Sequence, residues 1–391
     1  PLIIKSNMPH YFSSDFTLGI LGGGQLGKML LTETRKFDIT TKVLDPSPDA
    51  PCRIACNTFV QGNLTDFNTV YNFGKDVEVL TIEIENVNVE ALEKLQTEGV
   101  KVYPSPQTIK NIQNKATQKQ FYVTHGIPTA PFQVFQNTES LKKAINEQQL
   151  TLPFVWKSAR FGYDGNGVKI VRQLTDLNLL PNDQCIAESL VPFKKELAVI
   201  VARNAKGQVR TYPVVEMEFH PEANQVEYVL CPARIEEAVA QKARTIAIQV
   251  AQAFEVVGLL AVELFQTKND EILVNEVAPR PHNSGHYSIE AAYTNQFEQH
   301  LRAILNLPLG STESKVAGVM VNLVGAEGYQ GKVVYENIEQ IMAMEGVTPH
   351  IYGKKETRPF RKMGHVTIVN PNINKARQIA EQVKNTIRVI A

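Results

Sequence analysis

Cysteine is scarce in this sequence. Four occur in 391 residues, too few for a disulfide scaffold. Cys52 and Cys56 are separated by three residues, and Cys185 and Cys231 stand alone. No C-x-x-C pair is present, which argues against a zinc ribbon or a thioredoxin-type centre. Free thiols in a reducing compartment are expected. Long apolar runs are lacking as well. None reaches the roughly 18–20 residues that span a bilayer, and the longest candidate, 256–265, is broken by Glu263. Residues 1–15 lack a basic start followed by an apolar core, so they read as an extension without a signal peptide. A cytoplasmic protein with no membrane partner is the expectation. Net charge is missing too: 40 Lys and Arg face 40 Asp and Glu. That balance argues against a basic field for nucleic acid and against an acidic disordered chain. No internal repeat, low-complexity tract or G-x-x-x-x-G-K-[ST] phosphate loop occurs.

What is present is a globular balance, with 43% hydrophobic and 20% charged residues. At roughly 100–200 residues per domain the length predicts two to three domains. The first hundred residues alternate strand and helix signals, with strands at 16–21, 41–44, 77–84 and 100–103 and helices at 26–37 and 89–97. This alternation predicts a parallel α/β sheet. One helical stretch is expected over 107–125, ended by Gly126 and Pro128, and a domain boundary follows there. A smaller α+β unit comes next, with a helix at 138–148 and strands at 154–157 and 168–171 around a glycine-rich loop. Long strands (196–202, 209–216), a helix near 235–254, a hairpin over 259–277 and a strand-helix unit over 363–390 complete the chain.

Gly22-Gly-Gly24-Gln-Leu-Gly27 satisfies G-x-G-x-x-G between a predicted strand and a predicted helix. Asp45 ends the next strand, 18 residues after Gly27. This is the dinucleotide-binding fingerprint in context. Glycines let the backbone come close, and a helix N-terminus offers N–H groups to an anion. A nicotinamide oxidoreductase, a different phosphate ligand, or a plain tight turn all fit this motif.

The segment 261–276 reads as a hairpin turning at Asn269-Asp270. A two-residue turn there sets Glu263 opposite Glu276 on one face. Like charges opposite one another are destabilising in a ladder. A divalent cation reverses that, since Mg²⁺ takes one or two carboxylates completed by phosphates and water. Asn275 points away if the strand is regular and joins the site if it bends. Upstream, Lys157 ends a strand and precedes Gly162-Tyr163-Asp164-Gly165-Asn166-Gly167. A lysine, a glycine loop and an acidic hairpin make a phosphate-handling set.

That order, with Glu188-Ser189-Leu190-Val191 between loop and hairpin, resembles the ATP-grasp enzymes. The glycine turn, the 161–167 loop, the block from Asn275 to His286 and Arg361-Lys-Met-Gly-His365 together resemble the N5-carboxyaminoimidazole ribonucleotide synthetase family of purine biosynthesis. The resemblance covers the chain from about Thr17 to its end. It implies an ATP-grasp fold in three parts: a Rossmann-like domain that does not bind NAD (16–126), a lid (127–190) and a C-terminal catalytic domain (191–391). It also implies a homodimer, with ATP and Mg²⁺ as cofactors and bicarbonate and 5-aminoimidazole ribonucleotide as substrates.

The resemblance carries roles onto residues. Lys115, Lys157, the loop 162–167 with Val168, Glu188, Ser189, Leu190, Val191, Glu196, Asn275 and Glu276 match nucleotide-binding positions. Glu263 and Glu276 match metal ligands. Gln25, Leu26 and Glu85 match positions facing the ribonucleotide, and Lys354, Arg361 and Lys362 match anchors for its phosphate. Arg280, His282 and Asn283 match the place of bicarbonate and the reacting groups, with Tyr163 and Asp164 near substrate. Lys115 stands where many relatives have Arg, Val168 replaces a frequent Gln, and Phe219 stands where a His is expected, with His220 beside it. Lys354 is preferred to Lys355 because it follows Tyr352-Gly353.

Some features are readable without the family. His282 and His286 are four apart, but Pro281 and Gly285 argue against a metal-binding helix. Glu83 and Glu85 share a face at the end of a parallel strand, where ligands bind. Alternation sends Trp156 to the face opposite Lys157, into a core. The reaction implied is ATP-dependent carboxylation through carboxyphosphate, with His282 and Asp164 as alternatives for accepting the amine proton. The rivals are the sister ATP-grasp enzyme that formylates glycinamide ribonucleotide with formate, and an NAD-dependent oxidoreductase.

Overall fold

The computed structural model describes residues 15–160 and 167–391. Strands β1 (Thr17–Leu21), β2 (Thr40–Asp45), β3 (Thr58–Gln61), β4 (Val79–Ile82) and β5 (Lys101–Val102) form a parallel sheet in the order β3-β2-β1-β4-β5. Every residue of β4 is buried, as expected of a parallel strand covered on both faces. One face packs Leu18 and Ile20 on Met29 and Leu30 of α1 (Gln25–Lys36). The other packs Leu44 and Leu80 on α2 (Phe67–Gly74) and α3 (Val89–Thr97). The strand order reverses at β1, so the β1–α1 turn sits at the crevice where open sheets bind ligands.

The single helix expected over 107–125 is two, α4 (Pro106–Ile112) and α5 (Lys115–Thr124). Asn114 separates them. Its side chain accepts hydrogen bonds from Ala116 N at 2.9 Å and Thr117 N at 3.1 Å, which starts a new helix at Lys115. The break turns Lys115 and the face of α5 toward the rest of the molecule.

A four-stranded antiparallel sheet follows, with β6 (Phe132–Phe135), β7 (Phe154–Ser158), β8 (Val168–Val171) and β9 (Cys185–Ser189) in the order β6-β9-β7-β8. Trp156 packs into its core with Leu141 and Ala144 of α6 (Thr138–Asn146). Alternation along β7 leaves Lys157 on the other face.

The largest sheet contains β10 (Phe193–Arg203), β11 (Val209–Thr211), β12 (Val215–Phe219), β13 (Val226–Cys231), β14 (Gly258–Thr267), β15 (Ile272–Ala278) and β16 (Gly318–Val324). Helix α7 (Glu237–Ala253) buries its alanine-rich face on Leu197, Val199 and Leu260. After α8 (Ser288–Ala291), α9 (Gln296–Ile304) inserts Phe297 and Leu301 into the core of the N-terminal sheet, beside Leu18 and Leu30. Short ribbons pair β17 (Gly331–Lys332) with β20 (Glu356–Thr357), and β18 (Val334–Glu336) with β22 (Arg388–Ile390). Strands β19 (Val347–Ile351) and β21 (Lys362–Val369) close the far edge of the large sheet, covered by α10 (Ile338–Met342) and α11 (Ile373–Thr386).

All four cysteines are free. No helix among the described residues is long and apolar enough to cross a membrane. Leu301 is buried in the N-terminal core while Ala303 of the same helix packs on Leu259 and Ala261 of the large sheet, so Leu301→Ala is expected to cost about 2–5 kcal/mol. A urea midpoint unchanged from the parent protein would contradict that coupling.

Candidate active site

The glycine turn is already filled from within. Gly24 N donates to Glu83 Oε1 at 2.9 Å, Gly27 N donates to Glu83 Oε2 at 3.1 Å, and Gly23 N donates to Asp45 Oδ2 at 2.7 Å. A Cβ on Gly22 would come within 2.4 Å of Glu83 Cγ. The glycines therefore admit a protein carboxylate, which occupies the N–H groups a pyrophosphate would need. Burial pushes the Glu83 carboxyl upward, and the two glycine N–H groups pull against it. The oxidoreductase reading of this motif fails on this geometry.

The hairpin reaches its register by a different route from the two-residue turn expected. Thr267 N donates to Glu271 O at 2.9 Å, and Asp270 has a φ of 60°, so the loop has three residues. On its own that loop pairs the strands one residue out of step, as Leu264 with Val274 shows. A bulge at Asn275 restores the register, and Glu263 pairs with Glu276. The bulge is why Asn275 joins the site, accepting from Lys157 Nζ at 2.7 Å.

Cations answer these carboxylates. Lys115 Nζ donates to Glu276 Oε2. Burial opposes both charges, yet their attraction raises Lys115 and lowers Glu276, with Lys157 adding to the latter. His282 Nε2 lies 3.3 Å from Glu263 Oε1, while its Nδ1 accepts from Ser284 N at 3.3 Å. That assigns the ring proton to Nε2, facing Glu263. Deeper in, Glu188 meets Lys157 at 2.8 Å and Lys119 at 2.6 Å. Burial works against Glu188's charge, but the two lysines outweigh it and lower its pKa. Burial drags Lys119 down to about 8 even with Glu188 beside it.

These groups border a cleft of about 360 Å³ between the N-terminal and large sheets. Gln25, Leu26, Glu85, Lys115, Glu263, Glu276, Arg280, His282, Asn283 and Lys362 all line it. Glu85 is spoken for by Arg280, at 2.8 Å from its Nε. Asn283 exchanges amide hydrogen bonds with Asn322 at 2.8 and 3.0 Å. Lys157 and Glu188 adjoin the cleft through Asn275, the neighbour of the lining Glu276, and Ser189, Leu190 and Val191 follow at the end of β9. Val168 starts β8, next to Gly167. Lys354 donates to Lys362 O at 2.7 Å, whereas Lys355 pairs with Asp49 on the surface. Arg361 donates to Glu356 O at 2.6 Å. Gly162, Tyr163, Asp164, Gly165 and Asn166 lie outside the described residues. Phe219 lines the cleft, while His220 turns into a second cavity against Phe360.

Several site residues escaped the sequence reading. Lys119 was visible in principle, one helical turn after Lys115. Gln296 accepts from His282 N at 2.9 Å and donates to His282 O at 2.8 Å, holding the loop that carries His282; nothing in its local sequence marks it. His286 does not join His282. It stacks on His365 with ring centroids 4.7 Å apart, and among the described residues no cluster of three or more His, Cys, Asp or Glu is arranged for a metal.

Three family descriptions match in succession: a ribonucleotide synthetase preATP-grasp domain over residues 16–113, an ATP-grasp domain over 120–297, and a phosphoribosylaminoimidazole carboxylase C-terminal domain over 318–379. The chain is 38% identical over 356 residues to the N5-carboxyaminoimidazole ribonucleotide synthase of Bacillus subtilis, covering 90% of this chain and 91% of that one. It is similar in structure to the N5-carboxyaminoimidazole ribonucleotide synthetase of Thermotoga maritima, with a TM-score of 0.88, 43% identity, and 96% and 99% of the two chains covered. It is also similar to the Aspergillus clavatus synthase solved with ADP and 5-aminoimidazole ribonucleotide, with a TM-score of 0.87, 33% identity, and 95% and 98% covered.

Glu196 supplies a test of the site's electrostatics. Ala198 pairs with Glu263, so Glu196, two residues away, shares the face of Glu263. Burial, then the charge of Glu263, pushes its carboxyl up to about 8. In the unfolded chain the proton leaves near 4.3, so this group's contribution to stability is complete below about pH 4 and is lost as pH rises toward 8. In metal-free protein Glu196→Gln is expected to raise Tm at about pH 8.5 and to leave it nearly unchanged at about pH 4.5. Equal shifts at the two pH values would contradict the assignment.

Proposed function

The chain belongs to the N5-carboxyaminoimidazole ribonucleotide synthase family, and from that membership and the cleft we infer how its residues divide the reaction. It is an ATP-grasp ligase that carboxylates 5-aminoimidazole ribonucleotide in an ATP-dependent step of purine biosynthesis. We propose bicarbonate as the carboxyl source and carboxyphosphate as the intermediate. The observation that carries this reading is the Glu263–Glu276 pair, set across one cleft wall with Lys115 and Arg280 beside it.

Two carboxylates facing each other on one strand pair fit Mg²⁺, which takes one or two carboxylates and completes its shell with phosphate and water. When bound there, it supplies charge neutralisation at the phosphoryl group in transfer. Lys115 and Lys157 add positive charge from the protein side, pre-positioned so that no reorganisation is needed as charge develops. Arg280, steadied by Glu85, offers its guanidinium to a planar oxyanion, the geometry suited to bicarbonate. His282 faces the same space with its Nε2 proton held toward Glu263, so in this tautomer it serves there as a hydrogen-bond donor. Gln25 and Leu26, at the start of α1, face the ribonucleotide from the opposite wall. Lys354, Arg361 and Lys362 hold its phosphate. We place the unit boundaries near 126 and 190. A homodimer and a cytoplasmic location are further proposals, the latter in keeping with four free thiols.

ADP release is expected to depend on both bicarbonate and 5-aminoimidazole ribonucleotide, and formate is expected not to replace bicarbonate. Formate-driven turnover of glycinamide ribonucleotide would overturn this reading. Glu276→Gln is expected to lower kcat by at least about 100-fold while circular dichroism shows the fold retained. Retained activity at ordinary Mg²⁺ would remove Glu276 from the metal site.

A further inference from the structure

Lys119 has no part in the reaction as described above, yet it is one of the most deeply buried charges in the molecule. Its side chain is 3% exposed, beside Glu188 at 4% and Lys157 at 7%. Lys119 Nζ lies 2.6 Å from Glu188 Oε1 and donates to Thr129 Oγ1 at 2.6 Å. Thr129 Oγ1 donates onward to Val274 O at 2.7 Å, on the strand that bulges at Asn275. The other carboxylate oxygen of Glu188 goes to Lys157 at 2.8 Å. One carboxylate is thus shared between two ammonium groups from different elements, α5 and β7.

The consequence falls on Lys157. An ammonium has three N–H donors. Among the described residues, Glu188 and Asn275 take two of them, which leaves the third for a ligand. Two cations on one anion also leave the buried group with a net positive charge. Without Lys119, Glu188 would turn both oxygens to Lys157 and neutralise it. We infer that Lys119 is a positioning residue for nucleotide binding: it occupies one oxygen of Glu188 so that Lys157 keeps a spare N–H, and a charge that Glu188 does not fully cancel, for the ATP phosphates. This inference rests on the reading that ATP phosphates meet Lys157.

Single and double variants separate this role from simple packing. Lys119→Met, and Lys119→Gln as a second neutral variant, are expected to raise KM for ATP and the Kd for ADP by about 10- to 100-fold, the scale of a hydrogen bond to a charged group. KM for 5-aminoimidazole ribonucleotide and kcat at saturating ATP are expected to stay within about threefold. In the Glu188→Gln background no anion is left to cancel Lys157, so adding Lys119→Met there is expected to cost less than half, on a logarithmic scale, of what it costs in the parent. A packing role predicts the reverse, an equal cost in both backgrounds. Lys157→Met is the control. If it weakens ATP binding while both Lys119 variants bind ATP normally, this inference is overturned. If Lys157→Met itself binds ATP normally, the placement of ATP at Lys157 is overturned instead.

Discussion

The site depends on two carboxylates held face to face. In an ordinary ladder Glu263 opposite Glu276 would weaken the sheet. Here the repulsion is offset by Lys115 on one carboxylate and His282 on the other. The register that opposes them comes from one extra residue, Asn275, and that residue swings onto the ligand face to receive Lys157. A single bulge therefore sets the acidic pair, ties the small four-stranded sheet to the large one, and fixes the lysine nearest the proposed phosphates. Bulges that re-aim a side chain beside an active site are a recurrent use of this irregularity.

The N-terminal glycine turn solves a related problem with the signs exchanged. There the unsatisfied groups are backbone N–H donors at the start of α1, and Glu83 and Asp45 answer them. The turn keeps the shape of a dinucleotide site while its anion position is taken by the protein. What remains for ligand is the side of the turn that bears Gln25 and Leu26, which looks across the cleft at Asn283 and Lys362. Domain contact supports this arrangement: α9 buries Phe297 and Leu301 in the N-terminal core, so the two walls of the cleft share a hydrophobic seam.

Local pattern made much of this legible. Strand-helix alternation revealed the parallel sheet, and period two separated Trp156 from Lys157. The spacing of the hairpin brought Glu263 to Glu276, although the turn has three residues and the bulge makes good the difference. The helix break at Asn114 was readable, since Asn is a strong N-cap, but the continuous apolar pattern on either side masked it. Gln296 and Asn322 act on partners distant in sequence, and their own neighbourhoods carry no mark of it.

The sequence by itself determined which chemistry the chain carries: paired glutamates, a lysine before a glycine loop, and a basic cluster near residue 361. Those properties follow from short-range order, because strand period and motif spacing are local. Tertiary structure alone decided which charge answers which. Glu83 went to the glycine turn and Glu85 to Arg280, though they are two residues apart just past the end of β4. Glu188 was divided between two lysines. Such pairings are set where desolvated groups from separate elements converge. A buried charge must take whichever partner the packing brings within reach.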